Sequence, residues 1–377
     1  MPGRRKVVRR GVAACGRRGR EGGGVRLRLL ADDLTGALDT ASVFCGACGT
    51  VPVLLRPEAV VGDAAVDLGC RDGPRAAAVA ATEAAAPLLA GAGLAYLKID
   101  SLLRGHWAAM LAALWRGGGF RSCVFAPAFP AQGRLTRGGR QWVTEQGGPP
   151  RLLPLDPGAA LAAEGAAGIA VRDAASERDL AAIVAAGRAL PPPVLWCGTA
   201  GLATALAGVP APVVASLPGP ALGVIGSCHA VSLAQIGHCA AGAGLAPLAL
   251  GGDAAEAAVL QARLRRDGRC LVQAAVPAGA TAAEAAAHIR ACLHAVLPAL
   301  PPPGTLIAAG GETLRAACEA LGVARLKVTG LLVPGVPAAR LCGGAWQGVR
   351  LLSKSGAFGG PDLLARMFAA VRGFDGA

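Results

Sequence analysis

The chain has 377 residues, 53% hydrophobic and 16% charged, with a formal charge of +13; that length accommodates about two domains of ~100–200 residues each, and either half can bury a core. The charge is unevenly spread, since residues 1–28 hold ten Lys/Arg against Glu21 alone, a net +9, and leave the remainder at only +4. No basic stripe interleaved with aromatics runs through that remainder, which argues against a nucleic-acid partner.

From Arg4 to Gly24 the chain carries arginine clusters and glycines with no apolar stretch to pack, so residues 1–24 are expected to be a disordered basic tail. Behind these charges Val12 to Cys15 is too short for the apolar core of a signal peptide. The alanine-rich stretch 76–97 is broken by Glu83, Pro87, Gly91 and Gly93 and does not read as a membrane span of about 18 or more apolar residues. A cytoplasmic protein with no membrane partner is expected. The twelve cysteines, including Cys45-Gly46-Ala47-Cys48, lack a second pair or a suitably spaced histidine and read as small core residues.

The first element of the body is an apolar strand at residues 25–30, ending in Ala31-Asp32-Asp33-Leu34-Thr35-Gly36. Ala37, Ala41, Phe44 and Cys45 then recur at helical spacing, and residues 51–55 form a second strand. This order puts acidic residues at the carboxyl edge of strand one, where open α/β sheets hold ligands. A strand at 94–99 runs into Asp100-Ser101, and Leu103, Trp107, Met110, Leu111 and Leu114 line one face of the next helix. A strand at 122–125 enters the rigid loop Ala126-Pro127-Ala128-Phe129-Pro130. Residues 209–220 are too proline-rich for an element interior and mark a domain boundary. Strands at 222–225, 305–308 and 349–352 follow, each ending in a loop of small residues: Gly226-Ser227-Cys228-His229, Gly310-Gly311-Glu312-Thr313 and Ser353-Lys354-Ser355-Gly356. The expectation is two α/β domains with mainly parallel sheets, 25–218 and 219–377, and an active site in the cleft between them.

Neither a Walker-type nor a dinucleotide-type glycine motif is present, so a phosphate site here is of another kind. Gly310 and Gly311 could offer main-chain N–H groups at a helix N-terminus. Only four lysines stand against 33 arginines, and Lys98 and Lys354 fall in motifs; a compact ammonium is a phosphate binder that a guanidinium does not replace one for one. Asp32, Asp33 and Asp39 compete as carboxylates, Asp33 or Thr35 being equally readable as a helix cap. Strand alternation sets Lys98 and Asp100 on one face with Arg104 a turn beyond, so the three could converge on a polyhydroxy carboxylate.

Taken together, Ala31-Asp32-Asp33-Leu34-Thr35-Gly36-Ala37, Lys98-Ile99-Asp100-Ser101-Leu102-Leu103-Arg104-Gly105, Ala126-Pro127-Ala128-Phe129-Pro130, Gly198-Thr199-Ala200-Gly201, the Gly-Gly-Glu-Thr loop and Lys354-Ser355-Gly356-Ala357-Phe358-Gly359 occur in an order that resembles the four-carbon acid sugar kinase family, from about residue 27 onward. The resemblance implies that Asp33, Arg71, Lys98, Asp100, Ser101 and Arg104 bind the sugar acid. It implies that Ser227, Gly310, Gly311, Glu312, Thr313 and Gly356 bind ATP with Mg²⁺, Lys354 standing beside them. Leu102 replaces a usual threonine, His106 an asparagine, and Cys70 a serine. The implied activity is phosphorylation of a hydroxyl, expected to be terminal, on a threonate, erythronate or 3-oxo-tetronate, with Asp33 or Asp100 as proton acceptor and Lys354 on the phosphates. A sugar-acid binding protein, or an aldolase or dehydrogenase, is the alternative. Sequence leaves the oligomeric state open, and a homo-oligomer is compatible with it.

Overall fold

A computed structural model of the chain describes residues 26–144, 148–242, 244–277 and 279–373; the basic tail expected at 1–24 lies outside the described residues. The strands of the first half are β1 (Leu27–Ala31), β2 (Val51–Leu54), β3 (Ala64–Asp67), β4 (Leu94–Lys98), β5 (Ser122–Ala126) and β6 (Val194–Gly198). Those of the second are β7 (Ala221–Ile225), β8 (Leu248–Leu250), β9 (Arg269–Ala274), β10 (Thr305–Ala309), β11 (Arg325–Val333), β12 (Val336–Cys342) and β13 (Arg350–Lys354). They form one 13-stranded sheet in the order β8-β9-β7-β10-β13-β12-β11-β2-β3-β1-β4-β6-β5. β1 to β6 pair in parallel with one another, and so do β7, β8, β9, β10 and β13. β1, β3, β7 and β10 are buried along their whole length, which is why they read as continuous apolar runs rather than alternating ones.

The sequence predicts two sheets, and the structure joins them into one. The antiparallel hairpin β11–β12 is the weld, with β12 antiparallel to β13 and β11 antiparallel to β2. The strands of the two halves therefore run in opposite senses, and a flat sheet would send their carboxyl tips to opposite edges. Natural twist of about 20–25° per strand, accumulated over the six steps between β1 and β10, rotates them by roughly 120–150° and brings the tips together. A shared core follows the same course: Leu34, Leu38 and Phe44 belong to one buried cluster with Leu314, Ala317, Leu326 and Val328.

In each half the strand order reverses beside its first strand, between β1 and β4 and between β7 and β10. Crevices at such reversals are where open α/β sheets bind ligands. The expected amphipathic helix is Trp107–Gly117, and Trp107, Met110, Leu111 and Leu114 are all buried, Trp107 stacked on Phe125 with centroids 5.1 Å apart. Each such side chain contributes about 1.5–3 kcal/mol when fully buried. Residues 209–220 link the last helix of the first half, Ala200–Ala207, to β7. Among the described residues no helix is long and apolar enough to cross a membrane.

Candidate active site

At the first reversal β1 ends in Asp32-Asp33 and the chain turns at once into the helix Leu34–Cys48. Asp33 is its N-cap: Oδ1 accepts the Gly36 N–H at 3.0 Å and Oδ2 accepts the Thr35 hydroxyl at 2.5 Å. Arg71, in the turn after β3, donates to Asp32 at 2.8 and 2.7 Å and to Asp33 Oδ1 at 2.5 Å, and its other terminal nitrogen lies 3.8 Å from Asp100. Three carboxylates thus consume one guanidinium. Burial by itself would raise the Asp33 carboxyl, but the charges of Arg71 and Lys98 outweigh it and hold it below the ordinary carboxylate range.

Asp100, past the end of β4, is more heavily engaged. Its carboxylate accepts the N–H groups of Leu102 and Arg104 at 3.0 and 3.3 Å and a two-point contact from the Arg104 guanidinium at 2.9 and 2.7 Å. Desolvation is again outweighed, here by Arg104 and Arg71, and the group is strongly lowered. The turn it organises holds Leu103 at φ 58°, a left-handed conformation that bulky residues rarely adopt. Ser101 sits on that turn, its carbonyl accepting from Gln141 Nε2 at 3.2 Å.

Lys98 closes the cluster. It is 6% exposed and has no ion pair among the described residues, yet it lies in the field of Asp32, Asp33, Asp39 and Asp100. A Cβ built on Gly36 would stand 2.5 Å from Asp33 Oδ1 and 2.8 Å from Lys98 Nζ, so only glycine lets the two groups approach there. Asp39, one helical turn further on, is pushed up to about 6 by burial, which Lys98 only partly offsets.

The second reversal is built from main chain. Gly310, at φ 102°, starts the helix Gly311–Ala320, which has no side-chain cap. The Gly310 N–H is bonded to the Lys354 carbonyl at 3.0 Å, so the bare donors begin at Gly311. Thr313 is buried with its hydroxyl against Gly226 and 3.3 Å from the Cβ position of Gly310. Ser227 packs on Gly310 and Gly356, where a side chain on Gly356 would strike the Ser227 hydroxyl. Glu312 turns outward and faces Arg290 at 3.9 Å. Lys354, 1% exposed, points into its own loop: Nζ donates to the Ser355 carbonyl at 2.9 Å and to Ser232 Oγ and the Gly356 carbonyl at 3.4 Å. Burial lowers it to about 8.

The two reversals meet. A Cβ built on Gly311 would stand 3.5 Å from Asp33 Oδ2 and 3.7 Å from Thr35 Oγ1. Beside this junction Arg315, on the Gly311–Ala320 helix, forms an ion pair with Asp67 at the end of β3, its guanidinium lying over Gly69. Burial pushes Asp67 up to about 7 in spite of that partner. Asp67 and Arg315 had not been singled out as site residues. Their signals are faint: a lone acid closing the short apolar run Ala64-Ala65-Val66, and a basic residue on the polar face of a helix. Asp32 was noted only as a competitor of Asp33, and the guanidinium between them explains why the acids come as a pair.

Fold and site define a two-part α/β protein, one part presenting charged side chains and the other bare main chain at a shared junction. Residues 27–157 match the family described as a sugar-binding N-terminal domain, and residues 222–364 the one described as a nucleotide-binding C-terminal domain. A D-threonate kinase of Cupriavidus necator is 32% identical, over 91% of this chain and 97% of its own. A second D-threonate kinase, of Bordetella bronchiseptica, is 30% identical over 93% and 98%, and a 3-oxo-tetronate kinase of Methylobacterium radiotolerans 28% identical over 90% and 98%. The chain belongs to the four-carbon acid sugar kinase family. Among solved structures, a Salmonella typhimurium LT2 protein given a provisional tRNA synthase label superposes with a TM-score of 0.72 at 21% identity, covering 91% of this chain and 98% of that one. Haemophilus influenzae HI1011 superposes with 0.62 at 21% identity, covering 91% and 100%. At that identity they speak for the fold alone.

Proposed function

We propose that the protein transfers the γ-phosphoryl group of ATP to a hydroxyl, the terminal one, of a four-carbon sugar acid such as threonate, erythronate or 3-oxo-tetronate. The observation that carries this is the 3.5 Å approach of Asp33 Oδ2 to the Cβ position of Gly311, which brings a carboxylate of the first half beside the first turn of the uncapped Gly311–Ala320 helix. The substrate names of the D-threonate and 3-oxo-tetronate kinases support the substrate class.

Phosphoryl transfer has a loose transition state, so the protein chiefly positions the reactants and neutralises charge. The acceptor O–H bond breaks as its oxygen bonds phosphorus, the bond to the β-phosphate oxygen breaks, and ADP leaves. Asp33 receives the proton. Asp100 is the weaker candidate for that role, because both its oxygens already accept charged or main-chain donors. Asp33 Oδ2 has the Thr35 hydroxyl as its recorded hydrogen-bond partner and keeps acceptor capacity toward the junction. Arg71 positions the acids, its guanidinium being spent on Asp32 and Asp33. Lys98 and the half-exposed Arg104 are left to receive the substrate carboxylate, with the Ser101 hydroxyl beside them. Gly311 and Thr313 N–H groups, Ser227 and Gly356 hold phosphate oxygens, Lys354 holds the Ser355–Gly356 turn, and Glu312 faces outward to Arg290.

No group of three His, Cys, Asp or Glu side chains among the described residues could hold a metal by itself. Mg²⁺ asks for less, since it is commonly held by one or two carboxylates with substrate phosphates and water. Asp33 at the phosphate junction fits that donor set, and the ion would supply neutralisation of phosphate charge.

A coupled assay of ADP release across threonate, erythronate and 3-oxo-tetronate tests the reading, with the phosphorylated acid identified by mass spectrometry. Release that requires one of these acids and disappears in Asp33→Asn is expected. ADP release indifferent to every acid, or untouched by that substitution, overturns it.

A further inference from the structure

Beyond the phosphate loops, the carboxyl tips of β7, β8 and β9 enclose a recess of about 310 Å³ lined by Cys228, Pro247, Ala249, Gln273, Ala274, Ala275 and Val276. Its walls are mostly apolar side chains, with one side-chain amide and one thiol. Gln273 is half-buried, and among the described residues its amide has no hydrogen-bond partner, although the polar side chains of neighbouring loops are mostly engaged. Cys228 is exposed and directly follows Ser227, which packs on Gly310. Strand register runs Ala249, Gln273, Ile225, Ala309 and Lys354 in one row across the sheet, so Gln273 stands two strands, roughly 10 Å, from the strand end that launches the Gly310 loop.

We infer that this recess receives the nucleotide base and that Gln273 sets its identity. A flat aromatic base suits a shallow slot with apolar walls, and a few placed polar groups then fix its orientation. A glutamine amide offers an N–H donor beside a carbonyl acceptor, which matches the N7 acceptor and N6 amino group on one edge of adenine; guanine presents two acceptors, N7 and O6, on that edge. The row geometry allows the ribose and α-phosphate to span from Gln273 past Cys228 to the Ser227 and Gly311 groups. This assignment rests on the kinase reading for the presence of a nucleotide, and adds which base is chosen and by which side chain.

Two measurements test it. Thiol labelling with N-ethylmaleimide, mapped by peptide mass spectrometry, is followed at Cys228 in the whole chain without ligand, with ADP, with adenosine and with threonate alone. ADP and adenosine are expected to slow labelling at Cys228 at least about fivefold and threonate to leave it unchanged. In steady-state kinetics, Gln273→Ala is expected to raise KM for ATP about tenfold while GTP changes little, the loss expected for an unmade hydrogen bond to a buried partner. The inference is overturned if ADP leaves Cys228 labelling unchanged in an enzyme that turns over ATP, or if Gln273→Ala weakens ATP and GTP equally. Protection by ADP in a protein that phosphorylates none of the acids would retain the recess and remove the kinase reading, so the two failures are distinguishable.

Discussion

The two strand-order reversals have the same topology and opposite chemistry. At β1/β4 the site is made of charged side chains, Asp32, Asp33, Arg71, Lys98, Asp100 and Arg104, of which Asp32, Lys98 and Asp100 are buried and all but Lys98 are ion-paired with one another. At β7/β10 it is made of glycines, hydroxyls and an uncapped helix N-terminus, and the nearby lysine is folded into its own loop. Each arrangement suits its proposed ligand. A small acid with several hydroxyls needs donors and acceptors held in fixed directions, which saturated ion pairs supply. A polyphosphate brings its own charge and needs close approach, which bare backbone allows.

Substitutions on either side sharpen that contrast. Asp33→Asn removes the proton acceptor at the junction and should lower kcat by about 10²–10⁴, the usual range for a positioned base; equilibrium titration without Mg²⁺ should find ADP binding nearly unchanged, whereas loss of both would make Asp33 a folding residue. Arg71→Ala leaves Asp32 and Asp33 buried without their shared cation and should cost about 3–5 kcal/mol in denaturant unfolding. Lysine at that position should restore little of it, because a single ammonium cannot span two carboxylates. On the other side, Gly310→Ala meets a backbone at φ 102°. A strained phosphate loop should follow, with KM for ATP raised about tenfold and KM for the sugar acid unchanged, a cost of roughly 1–2 kcal/mol. A change in both constants would blur the division between the two sides.

A last effect, read in stability and not in catalysis, concerns Lys354. Burial lowers its titration from an ordinary 10.5 to about 8, so between these values the unfolded chain binds the proton and the native one does not. Stability should therefore rise with pH across that window and be lowest below it, where the buried ammonium must be charged. Comparing the pH dependence of unfolding with Lys354→Met checks this; the rise between about 8 and 10.5 should be absent from the variant.

Much of this was visible in the residues. Apolar runs ending in Asp32-Asp33, Lys98-Ile99-Asp100 and Gly310-Gly311 announce buried parallel strands and their ligand edge, because a strand covered on both faces must be apolar until it emerges. What the chain could not announce is pairing. Nothing in residues 325–342 says that their hairpin will weld β2 to β13, since a strand's partner is chosen by the whole packing problem. For the same reason the sequence sets Lys98, Asp100 and Arg104 on one face without saying which side chains pair, and in the structure Arg104 pairs with Asp100 while Lys98 lies in the field of both Asp33 and Asp100. The glycine loop around Lys354 was legible, but its partners were not: Nζ is buried against the Ser355 and Gly356 carbonyls and the Ser232 hydroxyl.

The central claim is that the tips of both half-sheets make one site, with Asp33 facing the Gly311 loop. A crystal structure with a non-hydrolysable ATP analogue, Mg²⁺ and threonate tests it most directly. The account predicts the γ-phosphate on the Gly311 and Thr313 N–H groups, with a substrate hydroxyl donating to Asp33 Oδ2. A phosphate chain elsewhere on the molecule, or a sugar acid bound out of reach of Asp33, would contradict it.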